Sequence, residues 1–561
     1  MGHSDTPKTL DESTGAVVNE MFRLATSDGP FKVTNKPIRG VELPIYENAV
    51  PHLGKLYEIC LDHNETTFLA SGSQQYSFRE TYEQASRYAH ILKSQYAIKT
   101  GDRVAIAMRN CPEWAFAFMA ITAIGAIAVP LNSWWQPTEL NYALKDSGCK
   151  IMFADSMILK RLGHDICIPH IYVEEIDFTQ SPTKPTTASP NPSFTGNAID
   201  PDTPATIFYT SGSTGTPKGV VSSHRAIITA LTAWLHVSNA VLNASDDTTA
   251  ATANHATLCS LPLFHVTGAI SQFLYSIPIG RKLVMMHKWN AELALDLIEK
   301  EKIAFFNGAP AMIMDLLNAD TTQHDLSSLL VVGGAGAASP PEQVKKLGRM
   351  FPHIEPQNGY GMTETNALGT LLSGEAYVTK SASAGLPLMP IVQIKLVNAD
   401  GDVGLPHVEG EILIRSAANF QCYWNDPIAT AQTLQDGWVH SGDLGTMDET
   451  GHLYIVGRKK EIIIRGGENI SCLEVEAALA ELEGIRELAV FSKPDPRLGE
   501  IVALAIYPID GHTISLEKVR AFLEKTLAHF KIPEWLTIFD APLPRTASGK
   551  IDRRAMQKSL F

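Results

Sequence analysis

Residues 103–154 read RVAIAMRNCPEWAFAFMAITAIGAIAVPLNSWWQPTELNYALKDSGCKIMFA. Arg103–Met108 is a short apolar run that suits a buried strand. Glu113–Ala126 has the length and spacing of a helix. Ile127–Pro130 is a second strand, Glu139–Asp146 a second helix and Lys150–Ala154 a third strand. Strands alternating with helices require crossover connections, so this stretch predicts a mostly parallel sheet covered by helices. Upstream, Phe78–Ala97 reads as an amphipathic helix, and residues 1–40 as a polar, irregular, loosely packed arm. Downstream, residues 177–204 are rich in Pro, Ser, Thr and Asn and read as a surface connector. A second α/β stretch follows to about residue 380. Residues 390–456 carry short strands with glycine turns, as in Gly410–Ser416 and Gly451–Gly457, and read as a β-rich subdomain. Residues 461–561 have their own strand–helix rhythm, that of a separate α+β domain. The fold expected is α/β: a large N-terminal domain of two α/β subdomains plus a β-rich one, then a small mobile α+β C-terminal domain.

The chain has 561 residues, more than one core supports, so at least two domains are required. Lys plus Arg number 46 and Asp plus Glu 60, for a net charge of −14. That balance excludes a broad nucleic-acid-binding surface but not a local basic pocket for a small anion. The 7 cysteines are scattered without a CxxC pair, which points away from a disulfide framework or zinc cluster and towards a reducing compartment. The N-terminus lacks the basic and apolar regions of a secretory signal. The longest apolar run, Trp114–Val129, falls short of the ~20 residues that span a bilayer, so no transmembrane segment is expected. The location expected is cytoplasmic.

The densest chemical signal is Tyr209-Thr-Ser-Gly-Ser-Thr-Gly-Thr-Pro-Lys-Gly219, placed after an apolar run and before a helical stretch. Its hydroxyls and glycine-exposed N–H groups suit a polyphosphate, with Lys218 as a point charge. It is not a Walker A loop, because Pro217 precedes the lysine and Gly219 follows it.

This run resembles the phosphate loop of the adenylate-forming superfamily, which includes acyl-CoA synthetases, luciferases and peptide-synthetase adenylation domains. Four further segments are similar to the family's motifs, in the family's order. They are Asn358-Gly-Tyr-Gly-Met-Thr-Glu364, Trp438-Val-His-Ser-Gly-Asp443, Gly457-Arg-Lys-Lys-Glu461 with Arg465-Gly-Gly-Glu-Asn469 behind it, and Pro544-Arg-Thr-Ala-Ser-Gly-Lys550. One departure is Gly333-Gly-Ala-Gly336, where the family often has a proline after the alanine.

The resemblance implies an ATP- and Mg²⁺-dependent carboxylic acid–coenzyme A ligase that works through an acyl-adenylate. The nucleotide would be held by Thr210, Ser211, Gly212, Ser213, Thr214, Gly215 and Lys218, by Gly333, Gly334 and Ala335, and by Gly359, Tyr360, Gly361 and Thr363. Physically, Tyr360 offers a flat face to adenine and Asp443 an acceptor to ribose hydroxyls. Glu364 is a hard oxygen ligand for Mg²⁺, and Arg458 a bidentate cation near ribose or phosphate. Lys550 is the expected catalytic cation, bridging a carboxylate and the α-phosphate it attacks. By resemblance, residues 1–456 are the adenylation domain, 457–460 the hinge with Lys460 at its pivot, and 461–561 the mobile domain. Gly466 and Gly467 would then face the thiol acceptor.

Also by resemblance, Leu261–Met286 lines the acid pocket. It holds no Asp or Glu, so an amino-acid ammonium would lack a partner there. His265 is expected to contact the substrate carboxylate or gate the acceptor tunnel; a core histidine bonded to a backbone carbonyl is the alternative. The apolar neighbours Ala269, Ile270, Phe273 and Leu274 favour an uncharged fatty or aryl acid. Coenzyme A is the expected acceptor. A separate acyl-carrier protein is the alternative, and a homodimer is left open.

Overall fold

The computed structural model describes every residue except 1–9, 164–165, 167, 177–193, 195–197, 211–216, 245–255, 335–340, 399–400, 402–403, 460–461, 466–467 and 546–549, together with the side chains of Glu342 and Asn469. The alternating stretch forms as expected. The helix Phe78–Ser94 opens on a capping box, in which Ser77 Oγ accepts from the Glu80 N–H and Glu80 Oε2 accepts from the Ser77 N–H. The helix Pro112–Ala123 starts on proline and buries every residue except Glu113. A helix apolar all round must be covered on all sides, and this one lies inside the core.

Two large sheets share that core. The first has seven strands in the order Cys422–Tyr423, Lys218–Ser223, Pro204–Thr210, Ile127–Pro130, Arg103–Ala107, Ile151–Ala154 and His170–Tyr172. Its last five strands are parallel and its first two antiparallel. The second has nine strands with a parallel centre, Glu355–Tyr360, Val331–Gly334, Ile303–Gly308, Ala256–Cys259, Leu283–Met285 and Thr67–Ser71. One apolar cluster joins Val104, Ile106 and Phe153 of the first sheet to Leu69 and Leu283 of the second. The helices Phe78–Ser94, Pro112–Ala123 and His224–Ala244 contribute to it. Pro137–Ser147 and Ser156–Leu162 cover the outer face of the first sheet. Ala291–Glu301 and Pro310–Asn318 cover that of the second, giving five α-β-α-β-α layers.

The β-rich subdomain is a five-stranded sheet that includes Gly410–Arg415, Trp438–Met447 and Leu453–Arg458. The C-terminal α+β unit has its own sheet, with the long pair Ile485–Asp495 and Gly499–Pro508, and its own core around Val475, Val490, Leu504 and Val519.

Residues 10–40 differ from the expected loose arm. Glu12–Thr26 is a helix capped by Asp11, whose carboxylate accepts from the Thr14 N–H. It is followed by the hairpin Val33–Ile38/Val41–Tyr46. His236 ties both down: Nδ1 meets the Tyr46 hydroxyl at 3.1 Å and Nε2 the Met21 carbonyl at 2.9 Å. The reason is the stripe Val17, Met21, Leu24 and Ala25, a 3.6-residue period that docks on His224–Ala244. That long helix is apolar enough to cross a membrane by length and composition, yet 56% of its most apolar window is buried within the fold. Most of the 177–204 connector lies outside the described residues. Phe194 within it packs edge-on against Tyr57 and Tyr82.

Candidate active site

The phosphate loop joins two antiparallel strands. Thr210 ends one and pairs in register with Lys218, which begins the next. The helix starts only at His224, so no helix N-terminus is available directly behind the loop. Ser211, Gly212, Ser213, Thr214 and Gly215 lie outside the described residues. Lys218 is held from below: Nζ stands 3.4 Å from Asp426 Oδ2 and 5.1 Å from the centre of the Tyr423 ring. Neither Tyr423 nor Asp426 was singled out in the sequence. Their run, Gln421-Cys-Tyr-Trp-Asn-Asp426, has no period or spacing that marks it as functional.

Tyr423 also donates its hydroxyl to Glu364 Oε1 at 2.6 Å. Glu364 sits in a single helical turn, Thr363–Thr365, and is 7% exposed. Burial pushes its carboxyl up, against the lowering effect of the Tyr423 bond. A shielded carboxylate of this kind gains from a nearby cation. Among the described residues no cluster of three or more metal-ligating side chains exists. Mg²⁺ commonly takes one protein carboxylate and completes its shell with phosphate oxygens and water, which Glu364 fits.

Gly333 and Gly334 end the strand Val331–Gly334, beside Gln357 and Asn358 on the neighbouring strand, which runs on to Gly359 and Tyr360. Ala335 lies outside the described residues. Gly361 is required by close packing: a Cβ there would stand 2.5 Å from the Ala367 backbone. The Tyr360 hydroxyl donates to Asp443 Oδ2 at 2.7 Å, and Arg458 Nε lies 3.0 Å from Asp443 Oδ1. Asp443 and Arg458 are register partners across antiparallel strands, so the sheet itself sets this pair. Each oxygen of Asp443 keeps a free lone pair, so it can still accept from a ribose hydroxyl.

At the hinge, the Lys459 N–H donates to the Gly442 carbonyl at 2.9 Å. Ser471 Oγ, on the C-terminal side, donates to the Val456 carbonyl. Lys460, Gly466 and Gly467 lie outside the described residues.

Lys550 comes from the C-terminal unit and is exposed. Its charge nevertheless reaches His265, which belongs to the N-terminal part. Burial first, and then Lys550, bring the imidazole down to about 4. His265 is therefore neutral at pH 7. Its Nε2 is shielded and has no hydrogen-bond partner among the described residues. The sign of the pH effect follows. An unfolded histidine takes its proton near pH 6.5, the folded one only near 4, so the unfolded state binds more protons between those values. Acidification from pH 6.5 to 4 should lower the melting temperature through this residue. In His265→Ala that part of the pH dependence should vanish; identical Tm–pH profiles would contradict it.

The acid-pocket segment departs from its expected lining. Ala269, Ile270, Phe273 and Leu274 are fully enclosed in the main core, and the Phe273 ring meets Phe68, Trp114 and Phe118 at 6.0–6.2 Å. Thr267–Leu274 is wound as a π-helix, in which hydrogen-bond partners stand five positions apart along the chain.

Residues 57–424 match the family model of the AMP-binding enzymes, and residues 474–550 match that of the AMP-binding enzyme C-terminal domain. The chain belongs to the AMP-binding enzyme family. A long-chain-fatty-acid–CoA ligase of Bacillus subtilis (strain 168) is 30% identical over 88% of this AMP-binding enzyme and 91% of the relative. A 4-coumarate–CoA ligase of Arabidopsis thaliana is 31% identical over 88% of each chain. A solved structure of o-succinylbenzoate CoA synthetase from Bacillus subtilis, in complex with ATP and magnesium, is 27% identical. It superposes with a TM-score of 0.75 over 90% of this chain and 98% of that one. The α/β N-terminal body followed by a small C-terminal domain is the architecture of these adenylate-forming enzymes.

Proposed function

We propose that this AMP-binding enzyme is an ATP- and Mg²⁺-dependent acid–CoA ligase for an uncharged fatty or aryl acid. One observation carries the reading: the Tyr423 side chain meets both Glu364, through a 2.6 Å hydrogen bond, and Lys218, 5.1 Å from its ring, which puts a carboxylate suited to Mg²⁺ beside the ammonium of the phosphate loop. In the first step a carboxylate oxygen attacks the α-phosphorus of ATP and pyrophosphate leaves, giving acyl-AMP. In the second the coenzyme A thiol loses its proton, the sulfur attacks the acyl carbonyl, and AMP leaves.

Lys550 neutralises charge shared by the carboxylate and the α-phosphate as they approach. Thr210, the 211–215 loop and Lys218 hold the triphosphate. Gly333, Gly334, Ala335, Gly359 and Gly361 let the nucleotide approach the backbone, and Tyr360 gives adenine a face. Thr363 donates to phosphate, while Asp443 and Arg458 fix the ribose. Bound Mg²⁺ would neutralise phosphate charge, with Glu364 as its protein ligand. Neutral His265 presents an uncharged imidazole to the substrate carboxyl end, so it adds no second cation beside Lys550.

The division of labour assigns residues 1–456 to adenylation, 457–460 to the hinge and 461–561 to a domain that swings between the half-reactions. Gly466 and Gly467 face the thiol in the second of these. Loading of a separate carrier protein is not favoured, since the relatives carry CoA ligase activities. The six described cysteines, all free thiols, suit a reducing compartment such as the cytoplasm.

The direct test is AMP release from ATP and Mg²⁺, with and without coenzyme A, across acids from acetate to palmitate plus benzoate, cinnamate and phenylacetate. CoA-dependent release with one acid class is the expected result. Acyl-AMP that coenzyme A cannot discharge would move the assignment to a carrier-protein ligase. The hinge has its own test. Lys460→Pro locks a backbone dihedral at the pivot, so overall turnover should fall while single-turnover acyl-AMP formation persists. Unchanged turnover would remove the hinge assignment.

A further inference from the structure

Parallel register places Asn307 beside Gly333 and Gly333 beside Gln357, so these three residues share one face of the second sheet. The opposite face, through Phe306 and Val332, packs on the outer helices. The Asn307 face therefore looks inward, towards His224–Ala244 and the π-helical segment Thr267–Leu274. Two contacts fix this. Gln272 Nε2 donates to the Asn307 carbonyl at 3.0 Å, and the Trp234 ring lies 3.9 Å from where a Gly359 Cβ would stand. Glycine at 333 makes room for an amide, since a Cβ there would sit 1.9 Å from Asn307 Oδ1.

This floor is polar and unsatisfied. Gln272 is 2% exposed; its Nε2 is used, and its Oε1 has no partner. The side-chain amides of Asn307 and Gln357 are half-buried on the same face. Meanwhile the apolar side chains of the π-helical segment have turned into the core. Orphaned buried polar groups are costly, and they persist where a ligand supplies the missing partner.

We propose that the acid taken by this enzyme carries a hydroxyl on the part that reaches this floor, and that Gln272 Oε1 accepts a hydrogen bond from it. The inference rests on the acid–CoA ligase reading and narrows its substrate class. A plain hydrocarbon acid would leave Gln272 Oε1 unpaired, whereas a hydroxyl can donate to it.

The test measures pyrophosphate release and thioester formation separately for two matched pairs, 4-hydroxycinnamate against cinnamate and 8-hydroxyoctanoate against octanoate. In one pair kcat/KM for pyrophosphate release should favour the hydroxylated acid by about 10- to 100-fold, the range for pairing a buried acceptor. The pair that responds tells whether the hydroxyl sits on a ring or a chain. Gln272→Leu, with Gln272→Met as the second variant, should bring that ratio close to one. Plain acids used as well as their hydroxylated partners, in the wild-type enzyme, would overturn the proposal while leaving the ligase reading intact. A hydroxyl preference in pyrophosphate release without any thioester would uphold it and overturn the coenzyme A assignment. No pyrophosphate with any of the four acids would overturn both.

Discussion

Lys550→Ala should lower acyl-adenylate formation on the order of 10²–10³-fold, the cost of removing one preorganised charge-stabilising donor from a transition state. Transfer from supplied acyl-AMP to coenzyme A should be nearly unchanged. The asymmetry follows from the charges. In the first step two anions approach, and the ammonium bridges them. In the second the acyl carbonyl is already activated and AMP is the leaving group. The Lys550 charge, after burial, also helps to hold the His265 imidazole neutral. Quenched-flow measurement of both half-reactions decides the matter. Equal losses in the two would show that Lys550 acts on binding or folding, not on the adenylation step.

Asp443→Ala should damage both half-reactions, because both use the nucleotide. The carboxylate organises two neighbours, taking the Tyr360 hydroxyl on one oxygen and Arg458 on the other. Its removal deletes the proposed acceptor for ribose and releases both side chains from their set positions. Hydrogen bonds to a charged group are worth about 1.5–3 kcal/mol each. The expected loss is therefore on the order of 10²-fold in kcat/KM for ATP, mostly as a raised KM. Asp443→Asn, which keeps the shape but not the charge, should fall between the two. ATP kinetics unchanged in Asp443→Ala would remove the residue from the nucleotide site.

The layered α/β body was legible because strand and helix periods alternate over residues 103–154 and a buried strand has little choice of neighbour. The five motifs were legible because glycine, hydroxyl and charged residues crowd into short runs that packing alone does not demand. The N-terminal helix Glu12–Thr26 is not legible from composition, although its stripe of Val17, Met21, Leu24 and Ala25 is present. The surrounding polar composition masked a period that matters only once His224–Ala244 is there to receive it. Tyr423 and Asp426 carried no local mark. Their importance lies in meeting Glu364 and Lys218, which lie 59 residues away and across two antiparallel strands respectively.

The linear order of residues alone determined the family, the two-step chemistry it implies and most of the polar groups that would serve it, since those depend on residue type at short spacing. Tertiary structure alone decided which side of each segment faces the site. The segment Thr267–Leu274 buries Ala269, Ile270, Phe273 and Leu274 in the core, while strand register puts Asn307, Gly333 and Gln357 on one face and the Asn307 carbonyl accepts from Gln272. The face a side chain presents depends on hydrogen-bond register and on the neighbours that bury its opposite face. Both are long-range properties, and composition within a segment does not encode them.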